Sequence, residues 1–596
     1  MADDPLRRWL DHTAATLKEE RAPMEALWRD IRDHFEPVLG RALGDGDDPT
    51  RDAAARGDEK IINSKPRDLV SRLSSGLQSG ITNQARQWFR LVDAAASARR
   101  GESRRRRAVD DASEIIQNAL ASSNAYVALV SLYMRLGQFG TACALLLPDD
   151  AATLRLDVID EGAYWIGQDR RGRVCTLLRR CDWTISQIVT EFGDRAVPEA
   201  ILREYREGRG EKCRRVWNLV APTGDLPQGA RQDFEDQPFA SVYWLDGGAR
   251  DIIARRGYWY NPIIAPRWST PTGGVYGVGL GQKALSDAKE LQAFEKSKLR
   301  IVAQEAEPPM AVPERMRGAR LSLNPGAIVY YSEGSGGPGG HIPVQPLDQR
   351  PKRLDYVMQC IADLEQRLGR LFFEDLFAML LQIQMGAGRR QMTATEVSEL
   401  AAEKTALLGP ILTRLNHDLL DPLVSGAYAI CLAAAEDAMR EVDAARIFGA
   451  EPDSAEVQAR AERFRTIAEM EELELDVEYT SALHADQIAN SKIAGIIKTY
   501  EFAGMVANFD PQVIDRLDGD EALKIGAEAY MEHGIVRDDE AVSAIREGRA
   551  QQQEQQMALA QRKGNADVAA TQARMMRDIE AAQAAAGGGD AGGAAA

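Results

Sequence analysis

The sequence predicts an α+β chain that turns mainly helical in its rear half, and three observations carry that prediction. All nine tryptophans fall between Trp9 and Trp268. The same stretch holds most of the short β-branched runs, such as Leu154 to Val158 and Val216 to Val220, which fit the two-residue period of a strand. Beyond Gly281 the apolar residues recur at helical spacing instead, through Ala284, Ala288, Leu291 and Leu299, then through Leu354, Val357, Ile361, Leu364 and Leu368. A chain of 596 residues, 44% hydrophobic, has room for about three to five packed units at roughly 100–200 residues each.

Taken in order, Pro5 opens an amphipathic stretch through Leu6, Trp9, Leu10 and Leu17, and the pattern resumes at Leu27, Trp28, Ile31 and Phe35. Pro23 lies between them and predicts two packed helices, because an interior proline removes a backbone bond and clashes with the preceding turn. Residues 44–59, rich in Gly and Asp, read as loop, Ile61 to Ile81 as helix and Trp88 to Leu91 as strand. Ser103 to Met134 gives a further helical pair. Thr141 to Tyr260 reads as a sheet-containing domain with a helix at Thr184 to Phe192.

From Gly281 a helix of roughly 25 residues, about 38 Å long, runs until Pro308-Pro309 stops it. A Pro/Gly-rich unit, Met310 to Gln349, carries the strand-like run Ala327 to Tyr331, and a second long helix follows. After a loop, Thr393 and Glu396 have capping-box spacing and open a long helix that Pro410 should kink. Residues 431–490 hold 15 acidic and 5 basic side chains, the pattern of a solvated acidic face. From about Asp539 the chain is Gln/Ala/Arg-rich helix, and its last dozen residues, 585–596, lack the apolar surface to fold.

Lys plus Arg number 73 against 90 Asp plus Glu, a net charge of -17, which excludes a generic phosphate-seeking basic protein. The six cysteines form no CxxC pair, so neither a disulfide framework nor a zinc site is expected, and a reducing cytosol suits them. The six histidines are far apart and form no metal motif, and Asp515, Asp518 and Asp520 lack the register of a calcium loop. Arg104 to Arg107 reads as a solvated helix face rather than a nucleic-acid contact, since Asp110 and Asp111 follow closely. No apolar leader and no membrane-length run is seen. No nucleophile elbow, catalytic triad or kinase set is present, so neither an enzyme nor a cofactor is expected.

Glycines at 273, 274, 277, 279 and 281 leave two readings open. They could cradle a nucleotide phosphate ahead of a helix, or they could serve as a hinge at Gly277, Gly279 and Gly281. The absence of Gly-Lys-Ser/Thr and the prolines at 262, 266 and 271 favour the hinge. The rear helices also admit a helical scaffold or assembly protein. Long apolar stripes of this kind cannot all be hidden within one monomer, which points to oligomerisation.

The residues Leu73 to Leu91 (LSSGLQSGITNQARQWFRL), Arg267 to Pro309 and Thr393 to Pro410 (TATEVSELAAEKTALLGP) give the chain a further likeness. It resembles the head-to-tail connector, or portal protein, of short-tailed double-stranded DNA phages. The resemblance implies a wing over 1–280, stem helices over 281–307 and 351–374 and a clip over 308–350. It further implies a tunnel loop over 375–392, a kinked wing helix with the acidic segment over 393–484, and a helical crown over 485–584. Twelve copies would ring a channel for duplex DNA at the capsid portal vertex, after assembly in the host cytoplasm. Partners would be the terminase packaging motor, a tail adaptor, and the major capsid and scaffolding proteins, with no membrane. Lys283, Lys289, Lys296, Lys298 and Arg300 on the first stem helix, with Arg389 and Arg390 in the loop, are the candidates to face the DNA. A sparse set suits sliding, because each neutralised phosphate adds a salt-dependent grip.

Overall fold

The structure is a computed structural model that describes residues 5–43, 60–93, 103–149, 151–234, 237–246, 252–306, 353–377, 408–447 and 539–586. To these it adds the short strands 310–311, 345–346 and 475–479 and a few helical positions between 496 and 523. Two compact units divide the chain at His484 and Ala485. The fold is mixed helix and sheet, as the sequence predicts.

The first unit opens with helix α1 (Pro5–His34), which keeps Pro23 inside a single 30-residue helix instead of breaking into two. The reason is tertiary anchorage on both sides of the proline. Leu6, Leu10 and Leu17 pack with Trp165, Leu178 and Trp217 before it, and Trp28, Ile31 and Phe35 enter the main core after it. Arg21, two residues before the proline and 2% exposed, donates to the Glu161 carbonyl at 3.0 Å and to Glu25 at 2.8 Å. Helix α2 (Lys65–Ile81) starts after Ser64 with Pro66 in its first turn, where a missing amide costs nothing.

Strand β1 (Phe89–Asp93) and helices α3 (Ser103–Ser122) and α4 (Ala125–Phe139) follow. Gly140 ends α4 in the left-handed conformation, φ +83°, with its amide donating to the Leu136 carbonyl. Two antiparallel sheets come next. Strands β2 (Cys143–Asp149), β3 (Thr153–Ile159) and β9 (Ile263–Ile264) form one, with β2 in the middle. Strands β4 (Tyr164–Gln168), β5 (Val174–Thr184), β6 (Cys213–Pro222), β7 (Phe239–Leu245) and β8 (Ile252–Tyr258) form a meander in sequence order.

The first half of α1 covers one face of the meander. Helices α5 (Ile185–Phe192) and α6 (Glu199–Arg206) cover the other. Thr184 and Gln187 cap α5 reciprocally, at 3.3 and 2.9 Å. A short turn, α7 (Gln228–Arg231), joins β6 to β7.

Helix α8 (Leu280–Ala306) and helix α9 (Leu354–Leu371) are the two long rods that the sequence predicts. Between them the described residues are the two-residue strands β10 (Met310–Ala311) and β11 (Gln345–Pro346), paired antiparallel. The strand expected over Ala327 to Tyr331 lies outside the described residues. A helix over 408–415 runs through a π-helical turn, Asn416–Leu420, into α10 (Asp421–Ile447). Strand β12 (Leu475–Tyr479) then returns to pair with β1, Phe89 opposite Tyr479. In the second unit, α11 (Asp539–Ala586) is a 48-residue helix with Met557, Val568, Met575 and Ile579 exposed. The end of the 585–596 tail, residues 587–596, lies outside the described residues.

Candidate functional site

Two joints position the rods. The first is the glycine run. An added Cβ at Gly279 would sit 2.4 Å from the Gly140 nitrogen, at Gly277 2.3 Å from the Gly140 oxygen, and at Gly281 2.2 Å from the Gln138 oxygen. Glycine is needed because backbone meets backbone. The Gly277 amide donates to Thr141 Oγ1 at 2.7 Å and the Val278 amide to the Ser269 carbonyl at 2.6 Å. Those amides are engaged and the end of α4 covers them, which leaves no open cradle for a phosphate at 277–279. The run is a packed joint at the root of α8.

The second joint is Arg267, 3% exposed. Its guanidinium donates to Asp418 through Nε at 3.0 Å and NH2 at 3.2 Å, to Gln168 Oε1 at 3.1 Å and to the Gly172 carbonyl at 2.7 Å. Asp418 belongs to the π-helical turn. The bidentate pair therefore ties the helix before α10 to the sheet and to the root of α8. Residues 401–407, which would carry the turn preceding Pro410, lie outside the described residues.

The rods run antiparallel, Glu290 level with Arg367 at 3.9 Å and Glu295 level with Glu365. Asn63, ahead of α2, ties them together. Its side-chain amide donates to Glu295 at 3.0 Å and Glu365 at 2.8 Å, while Gln292 Oε1 accepts from the Ile62 and Asn63 amides at 2.7 and 2.8 Å. The near half of α8 is buried through Leu280, Ala284, Ala288, Leu291 and Glu295. The far half stands clear. Leu299 and Val302 are 54% and 46% exposed, and Tyr356 and Met358, in the first turns of α9, are 62% and 54% exposed.

The basic residues of α8 divide in this setting. Lys289 pairs with Asp30 of α1, and Lys298 with Glu295 of its own helix. Lys283, Lys296 and Arg300 are exposed. At 100° per residue, Lys289, Lys296 and Arg300 fall on one strip about 40° wide, whereas Lys283 and Lys298 lie off it. Arg389 and Arg390 lie outside the described residues. Sequence reasoning missed Asn63, Arg267 and Asp418; the "RW" pair at Arg267-Trp268 was the available signal, because an arginine inside an apolar run needs a buried partner.

Comparison with known proteins matches residues 7–443 to the bacteriophage head to tail connecting protein family. The portal protein of Salmonella phage epsilon15 is 30% identical over 567 residues, covering 94% of each chain. The probable portal protein of Bordetella phage BPP-1 is 28% identical over 575 residues, covering 96% of each. Among solved structures, the neck of an empty GTA particle overlaps 65% of this chain and 91% of its own, with a TM-score of 0.27 and 11% identity. On the family match and the full-length relatives, the chain belongs to the bacteriophage head to tail connecting protein family.

Proposed function

We propose that the chain is the subunit of a portal ring at the capsid vertex, a channel through which double-stranded DNA enters and leaves the head. The observation that carries this reading is the family match across both rods and their joints. The exposed apolar side chains Leu299, Val302, Tyr356 and Met358 support it, because in a closed ring a neighbouring copy covers such positions. Residues 1–280 then form the wing, α8 and α9 the stem, 308–350 the clip and 375–392 the tunnel loop. The second unit, from Ala485, carries the crown.

The role is structural and not catalytic. Twelve copies close the ring. The clip end receives the terminase packaging motor and later the tail adaptor, while the rest of the ring meets capsid and scaffolding proteins, first in the host cytoplasm and then in the virion. Lys296 and Arg300, exposed on one strip of the stem, are the positions best placed to face DNA, and Lys283, Arg389 and Arg390 remain candidates from the sequence. Lys289 ties the stem to the wing through Asp30 of α1, and Lys298 pairs within the stem with Glu295.

Native mass measurement together with imaging tests the reading. A holed assembly of about twelve subunits is expected, and a chain that stays monomeric at high concentration with its capsid components overturns it. Within the ring, replacing Arg389 and Arg390 by Ala should lower DNA packaging or retention while assembly persists. Unaltered packaging removes their role.

A further inference from the structure

Helix α9 does not end in the usual way. Its last turn is followed by Phe372 and Phe373, and a new helical turn begins at once over 374–377. Phe373 takes φ +56°. Left-handed backbone at the end of a helix is ordinarily taken by glycine, and for a bulky side chain it is costly. Such an outlier persists only where its surroundings hold it in place.

Those surroundings are built from α2, Phe35 and Trp268. Lys65 Nζ donates to both Glu374 carboxylate oxygens, at 2.9 and 2.8 Å, and Arg72 donates to the same carboxylate at 2.6 Å. Phe377, 4% exposed, lays its ring in the notch over Gly76, where an added Cβ would sit 2.1 Å from the ring. Phe372, 1% exposed, packs 5.9 Å from the ring of Phe35, and the Phe373 ring lies 6.4 Å from Trp268. Four contacts therefore hold a two-residue interruption in a helix whose sequence, from Leu354 to Phe377, contains no proline.

We propose that this interruption is a two-state joint. In the observed state Phe373 is left-handed and the Glu374 clamp is closed. In the other, Phe373 returns to the right-handed region and α9 runs unbroken through Phe377. The clamp sets the balance, and through it the direction in which the chain leaves α9. The joint stands on the geometry of one chain, so it holds or fails separately from the ring.

The two states differ in their backbone bonds. In the broken state the amides of Glu374 and Asp375 open a new turn and have no intrahelical acceptor. In the straight state they donate to the carbonyls of Arg370 and Leu371. Hydrogen exchange of the full-length protein, read at single amides and corrected for intrinsic rates, distinguishes them. The wild type should exchange fast at both positions. Glu374→Ala should slow them at least tenfold, and the double variant Lys65→Gln, Arg72→Gln should do the same with the carboxylate intact. Adding Phe373→Gly to either should restore fast exchange, because glycine takes the left-handed conformation without cost. Unchanged or faster exchange at 374 and 375 in both clamp variants overturns the proposal, as does a Phe373→Gly substitution that reverses nothing.

Discussion

Glu161 shows how far single residues depend on distant parts of this chain. It is fully buried, and its carboxylate meets Arg135 of α4, which also lies 3.6 Å from Asp160. Burial pushes the carboxyl up to about 7 even though the Arg135 charge pulls it down. A raised carboxyl contributes stability that is fully present below its unfolded value near 4.5 and is lost as pH climbs through about 7. Removing Arg135 strips the carboxylate of its compensating charge. Arg135→Gln is expected to cost about 3–5 kcal/mol at pH 8 and distinctly less at pH 5, where Glu161 can be neutral; denaturant titration at the two pH values checks it. Adding Glu161→Gln should erase the difference between them. A second substitution concerns Gly140, φ +83°, where a Cβ would lie 2.1 Å from the Gly279 nitrogen. Gly140→Ala should destabilise by at least about 2 kcal/mol in the same titration. The glycines at 277, 279 and 281 stood out in the sequence as a hinge or a cradle, and the structure packs them against backbone instead. Their partner did not stand out, because Gly140 approaches from more than a hundred residues upstream.

Elements were legible wherever one face of a helix or strand repeats. The rods α8 and α9, the strand at Trp88 to Leu91 and the capped helix at Thr184 appear within a few residues of their predicted bounds. Helix α6 and strand β12 went unread, and two further elements were misread or missed for one shared physical cause. Helix α1 continues through Pro23 because Arg21 and Trp28 fix it on either side, and long-range packing outweighs the lost backbone bond. The π-helical turn at Asn416–Leu420 carries no local signature at all; it is where Asp418 reaches Arg267. If that pair holds the turn, Arg267→Met should cost about 3–5 kcal/mol by leaving a carboxylate buried. Adding Asp418→Leu should recover a substantial part of that loss, and a double-mutant cycle by thermal unfolding measures the coupling.

For the whole molecule, the sequence supplied the order of parts through its likeness to a family and through the arrangement rod, small β unit, rod. It supplied no inventory of which basic side chains are already occupied. Asp30 and Glu295 claim two of the five on α8; Glu295 and Lys298 have the i, i+3 spacing of a helical ion pair, whereas nothing in the spacing marks Asp30, 259 residues before Lys289, among 90 carboxylates. If the far half of the stem is covered by neighbouring copies, Val302→Asp combined with Tyr356→Asp should shift the assembled mass toward smaller species. The thermal unfolding of the single chain should stay within about 0.5 kcal/mol, because both side chains are exposed in it. Light scattering coupled to size separation reads both species.

The pairing of β1 with β12 also bears on how the protein is made. Phe89 leaves the ribosome about 390 residues ahead of Tyr479, its partner. At 5–20 residues per second the nascent chain carries that strand without its partner for roughly 20–80 s. Through that interval its apolar run and unpaired backbone present an edge on which newborn copies could join wrongly. Synthesis that outruns the supply of folding helpers should therefore harm this protein at its front end first.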